Sequence, residues 1–150
     1  MDNLQTPPAP TPAHLWVVGV ISLLWNSFGC VDYTMSKLDP IGYMQSVGMG
    51  DAEIAYTQAL PAWLSAFWAI GVWGSLAGSL LLLMRSARAV IAFAVSLVGL
   101  AVSQVYQFTD SSMPASMQSG AILGMTAVIW ASLLFFLWYA RRMKAAGVLR

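Results

Sequence analysis

The sequence holds one cysteine, Cys30, and one histidine, His14. A lone cysteine excludes an internal disulfide, a CxxC redox pair and a cysteine-rich metal site. A lone histidine argues against a histidine-based metal or haem cluster within one subunit. Charge is equally scarce. Only 9% of residues are Asp, Glu, Lys or Arg, against about 25% in soluble domains. The formal net charge is +1 and no basic run is present, so nothing points to nucleic acid. Gly48 and Gly50 have no Lys-Ser/Thr after them and no strand before them, so they do not form a phosphate loop. No catalytic motif stands out. The expectation is a protein that is not an enzyme, with no metal site and no cofactor.

What the chain has is apolar length. Its hydrophobic content is 59% and its mean hydropathy is +0.70. Residues 61–84, PAWLSAFWAIGVWGSLAGSLLLLM, form an uncharged block of 24 residues. As a helix this block reaches about 36 Å, enough to cross a hydrocarbon core of about 30 Å with some tilt. Three further apolar blocks have similar length. The expected fold is an all-α membrane protein of four antiparallel transmembrane helices, at about 14–35, 61–84, 87–109 and 120–140. These helices form one domain over residues 14–144, which uses up the length and leaves no room for a soluble catalytic domain. Residues 1–13 hold four of the seven prolines and read as a disordered or extended tail. They lack the basic start of a signal peptide, so the apolar run behind them is expected to be retained as a helix. Residues 145–150 read as a short cytoplasmic tail.

Six of the seven Lys and Arg lie in the 85–88 link or behind the fourth helix. By the positive-inside rule both segments, and so both termini, should be cytoplasmic. The loop 36–60 is then outside, with only Lys37 as a cation. It should be structured rather than floppy: Asp39-Pro40 and Asp51 both read as helix starts, with Asp51 as a cap, and Tyr43, Tyr56 and Trp63 suit a membrane interface.

Polar side chains inside lipid are costly unless paired, so they should face the bundle interior or a water-filled cavity. Asn26, Asp32, Tyr33, Trp63, Trp68, Gln104, Tyr106 and Gln107 fall in the outer halves of the first three helices. They form either a pocket for a sugar, a quinone head group or another small polar ligand, or a set of interhelical hydrogen bonds and interfacial anchors. Gly19, Ser22, Asn26, Gly29 and Tyr33 share one face of the first helix. Gly71, Gly74, Ser75, Gly78 and Ser79 make a small-residue stripe on the second, suited to internal packing or to a partner. Gly120 and Gly124, four apart on the fourth helix, read as another small-residue contact. Arg85, Arg88, Arg141, Arg142 and Lys144 should anchor the protein to lipid head groups.

Several stretches resemble a known group. They are Leu15-Trp-Val-Val-Gly-Val, Leu24-Trp-Asn, Asp32-Tyr-Thr-Met, Pro61-Ala-Trp, Trp68-Ala-Ile-Gly-Val-Trp-Gly and Gly147-Val-Leu-Arg. Together the chain resembles a group of uncharacterised small four-helix inner-membrane proteins of proteobacteria, many of them automatically named sugar transporters. The resemblance implies the four-helix topology and a bacterial inner-membrane location, and assigns no catalytic residue. The expected function is an accessory or stabilising subunit that packs with other membrane proteins. The alternative is a homo-oligomeric small-solute (sugar-like) transporter or ligand-binding membrane protein. A quinone-dependent redox role lacks a haem ligand pair and a redox cysteine pair. The expected partners are the lipid bilayer, and other membrane proteins or a second copy of the chain.

Overall fold

A computed structural model describes residues 10–150; of the expected tail at 1–13, residues 1–9 lie outside the described residues. The described residues form helices and turns without strands. Helix α1 spans Ala13–Leu38, α2 Pro40–Ser46, α3 Asp51–Ala59, α4 Ala62–Leu83, α5 Ala89–Thr109 and α6 Gly120–Ala145, with a 3-10 turn at Ala115–Gln118 between the last two. Helices α1, α4, α5 and α6 are each long and apolar enough to cross a membrane. This is the pattern of a multi-pass membrane protein. Their outward faces are what a bilayer demands and water forbids: Phe28 and Leu38 are each 75% exposed, and Trp16, Ile91, Val105 and Met125 stand open beside them.

The helices follow one another around the bundle, α1 on α4, α4 on α5 and α5 on α6. Register is set by small residues. On the α4–α5 face Gly71 lies against Gly99, Gly74 against Ser96 and Gly78 against the Phe93 ring. Position rises along one helix as it falls along the other. The same holds between α1 and α4, where Gly19 meets Leu83 and Gly29 meets Val72. A hydroxyl-to-carbonyl bond from Ser96 to Gly71 locks the closest approach. The stripe Gly71, Gly74, Ser75, Gly78 and Ser79 is therefore spent inside the chain, between α1 and α5.

Two ends can be told apart. The loop end carries α2, α3 and the link 110–119. Asp39 caps α2 by accepting a hydrogen bond from the Gly42 amide at 3.1 Å, with Pro40 at the first helical position. The cap of α3 is Gly50, not Asp51, which is its exposed first residue. Within this loop Met44, Ile54 and Tyr56 are buried. A Glu53 carboxylate oxygen accepts from the Ser116 hydroxyl and ties α3 to the second link.

The other, arginine end holds 84–88 and 141–150. Helix α4 closes with the backbone pattern of a Schellman turn: the Ser86 amide reaches the Leu81 carbonyl at 2.8 Å and the Arg85 amide reaches that of Leu82 at 3.0 Å. Arg85 takes glycine's usual place there, at φ 55°. The close of α6 is built the same way with Gly147 at φ 72°. Positive charge does not end α6. It runs five residues past Ala140, through Arg141, Arg142 and Lys144, until this turn stops it. Residues 145–150 are not a free tail either. Val148 and Leu149 are buried in the core with Leu15, Leu82, Phe93 and Phe136. The Arg150 amide donates to the Arg85 carbonyl at 2.9 Å, and the Ala87 amide donates to that of Arg150 at 2.7 Å.

Helix α6 is docked over only half its length. The Trp25 indole donates to Ser132 at 3.0 Å, Phe93 stacks on Phe136 with ring centres 6.0 Å apart, and Tyr139 shares a hydrogen bond with His14. Toward the loop end, residues 120–131 are almost all exposed. Gly120 and Gly124, expected to make a contact, meet nothing within 4 Å.

Candidate functional site

The eight residues read as either one polar pocket or a set of interhelical bonds and anchors divide among five places. Asn26 lies deeper, in a seam between α1 and α4. Its side-chain amide donates to Ser79 at 2.9 Å, Ser22 at 3.2 Å and the Ser75 carbonyl at 3.4 Å. The hydroxyls of Ser22 and Ser79 are bonded to each other at 2.6 Å, and Ser79 also donates to the Ser75 carbonyl at 2.9 Å. These serines and Asn26 are buried. The seam is interhelical glue: its donors are absorbed by chain oxygens, and it contains no group that titrates.

Asp32 is exposed, on another face of α1, and accepts a hydrogen bond from the Tyr43 hydroxyl of α2 at 2.8 Å. This bond raises the Tyr43 phenol above its ordinary value, because ionising it would lose the donated hydrogen bond; burial and the Asp32 charge add to this. Asp32 therefore fastens α2 to α1. Trp63 and Tyr106 pair edge to face, ring centres 5.4 Å apart. Gln104 is half-buried and is not among the residues that line the cavity described next. Only Tyr33, Trp68 and Gln107 remain where the pocket was expected.

A cavity does exist there, of about 410 Å³, a size within the range of small-ligand sites at about 300–1,000 Å³. Five helices line it. From the end of α1 come Ser36 and Lys37, and from α2 Pro40 and Met44. From α3 come Thr57 and Gln58, from the start of α4 Leu64, Ser65 and Trp68, and from the end of α5 Ser103 and Gln107. Lys37 is held over the cavity from three sides. Its ammonium donates to the Ser65 hydroxyl at 2.7 Å and sits 5.6 Å from the centre of the Tyr33 ring and 5.9 Å from that of Trp68. Tyr33 in turn stands edge-on to Trp68 at 4.9 Å. Both rings offer the ammonium a π-face. Ser103 is buried, and its hydroxyl has no hydrogen-bond partner among the described residues.

Lys37, Ser36, Ser65 and Ser103 were absent from the sequence-based site. One signal was present: Lys37 is the single Lys or Arg outside the arginine end. Nothing in the linear sequence joins it to Ser103, which is brought to it by α4 and α5.

Near the cavity Tyr56 is a second buried hydroxyl without a hydrogen-bond partner among the described residues. Burial pushes its phenol up, and the negative charge of Asp110 adds to this. Asp110 is itself held low by hydrogen bonds from the Ser112 hydroxyl and amide, at 2.7 and 2.9 Å. At the opposite end Arg85, Arg88, Arg141, Arg142 and Lys144 are all exposed. Arg142 lies 5.5 Å from the centre of the Trp138 ring, and Arg85 donates to the Thr11 hydroxyl at 2.6 Å. No group of three or more metal-ligating side chains occurs among the described residues. No protein-family model, no curated protein and no solved structure matches this chain.

Proposed function

We propose that this protein is a non-catalytic subunit of a membrane assembly, held in the bilayer by four antiparallel helices and joined to its partner through the undocked half of α6. One observation carries the reading. In the membrane-length helices, Gly19, Gly29, Gly71, Gly74, Gly78 and Gly99 all lie against a neighbouring helix, whereas Gly120 and Gly124 meet nothing. Their spacing is the small-xxx-small pattern that lets helices approach closely in lipid. A helix that joined the bundle only to face lipid has no need of glycine at position 124, inside α6, since glycine costs about 1 kcal/mol relative to alanine in a helix interior; Gly120, the first residue of α6, extends the same face.

The pairing of positions across α1, α4, α5 and α6 supports an antiparallel arrangement. The clustering of Arg85, Arg88, Arg141, Arg142 and Lys144 at one end supports a cytoplasmic placement of that end, with α2 and α3 outside. The bacterial inner membrane as the location rests on the sequence resemblance.

A second reading is favoured by the cavity: a ligand-binding membrane protein, working as a homo-oligomer. Transport through one chain has less support, because the hydrogen-bonded seam of Ser22, Asn26 and Ser79 fills the α1–α4 interface.

Purification from the native membrane in mild detergent, followed by native mass spectrometry, tests the proposal. A foreign subunit is expected at fixed ratio, lost in the variant G120L/G124L while its thermal melt stays unchanged. A chain that runs alone would overturn the reading. A homo-oligomer dispersed by the same substitutions would replace it with the second.

A further inference from the structure

The geometry points to the cavity at the loop end as a binding site for a singly charged phosphodiester head group carried on an apolar body. This site is independent of the assembly proposed above and would serve a chain that works alone.

Charge selects the ligand. The loop end carries five carboxylates, on Asp32, Asp39, Asp51, Glu53 and Asp110, and one cation, Lys37. An exposed lysine in such company ordinarily pairs with an acid. Here no carboxylate lies within 4.0 Å of it among the described residues. The ammonium is turned instead onto Ser65 and the rings of Tyr33 and Trp68, at the mouth of the cavity. One positive charge matches one negative charge. A dianion would be half compensated and would face the repulsion of the surrounding acids.

The remaining polar groups match the oxygens of such an anion. Ser103 brings a buried hydroxyl without a partner, which is costly in an empty protein and is satisfied by an acceptor in the cavity. Gln107 adds an amide from the next turn of α5. Lysine binds phosphate as a point charge, and neutral O–H and N–H donors complete the shell. Opposite them, Met44 and Leu64 present an apolar wall that a bare inorganic ion would leave unused. The cavity lies where α1 ends and α4 begins, at the level of the lipid head groups if these helices span the bilayer.

The full chain in a neutral maltoside detergent would be titrated with dioleoyl-phosphatidylglycerol and with uncharged dioleoylglycerol, and bound lipid counted by native mass spectrometry. We expect one phosphatidylglycerol held more tightly than the annular lipids, and no equivalent for dioleoylglycerol. Lys37→Met and Ser103→Ala should each weaken this one site by about tenfold or more, the scale of a lost hydrogen bond to a charged group. Ser103→Ala should leave the lipid-free melting temperature unchanged or raised, which separates binding from folding. Water-soluble glycerophosphoglycerol then identifies the source. Displacement of the lipid means the natural ligand is water-borne, and failure to displace it means the ligand is a lipid of the bilayer. If wild type shows no preference for phosphatidylglycerol, or both variants hold it as well as wild type, the assignment is wrong.

Discussion

Gly71 and Gly99 face each other at the closest point between α4 and α5, yet substitution should treat them very differently. A Cβ built on Gly99 lies 2.6 Å from the Phe67 carbonyl oxygen and 2.7 Å from the Gly71 nitrogen. Both atoms belong to the α4 backbone and cannot rotate aside. Ordinary contact begins near 3.4 Å, so Gly99→Ala must push the helices apart by about 0.8 Å. That movement strains the hydroxyl-to-carbonyl bond from Ser96 to Gly71, worth about 1 kcal/mol, and adds an overpacking cost of about 1–3 kcal/mol. Alanine's better helix propensity returns about 1 kcal/mol. The net expectation is a loss of about 2 kcal/mol. On Gly71 the same methyl finds its nearest neighbour, the Leu100 nitrogen, at 3.5 Å, which is ordinary contact. Gly71→Ala should therefore be neutral or gain up to about 1 kcal/mol. Gly78→Ala, which meets the Phe93 ring at 2.8 Å, should fall between, because a ring can turn. Reversible unfolding by dodecyl sulfate in mixed micelles, followed by far-ultraviolet circular dichroism, reads all three. If Gly99→Ala proves as stable as Gly71→Ala, the close backbone contact described above is wrong.

Replacing Asn26 by leucine removes three donated hydrogen bonds but leaves Ser22 and Ser79 bonded to each other; the same unfolding assay should show a loss of only about 0.6–2 kcal/mol, with association and lipid binding unchanged. The Ser116 hydroxyl holds the Glu53 carboxyl below its ordinary value of 4.5. A group lowered in the folded state contributes stability above its unfolded value and loses it as pH falls through the folded one. Protection from hydrogen exchange in α3 and in residues 110–119, corrected for the intrinsic rate at each pH, should thus be steady at neutral pH and fall below about 4.5, and Ser116→Ala should reduce that fall.

The membrane helices were legible because a bilayer imposes a run of about 20 apolar residues that no other environment requires. Their ends were less so. The fourth helix was expected to stop near Ala140 because charges follow, but charge places a segment in water without unwinding it; the stop came from Gly147, whose turn then folds Val148 and Leu149 back into the core. The face of α1 carrying Gly19, Ser22 and Asn26 was read correctly, since helical spacing alone puts those residues together. The site was read only in part. Depth in the membrane was taken as proximity, and so Asn26 and Asp32 were grouped with Gln107 although they lie on different faces. Lys37 and Ser103 meet at one cavity only because α4 lies between α1 and α5, a fact of packing order that no local pattern encodes.

The partial docking of α6 leaves one stretch of the molecule without internal ties. Helices α1, α4 and α5 are tied by backbone-close glycines and by the serine–asparagine seam, and slide past one another only by breaking both. The arginine end of α6 is sealed by the pairing of Arg150 with Arg85 and Ala87. What is left is the exposed stretch of about three turns beyond the Trp25–Ser132 bond. Its far end follows the link that is joined to α3 through Ser116 and Glu53. A partner seated on this stretch would therefore lie next to the link that Ser116 and Glu53 tie to α3, beside the cavity without lining it.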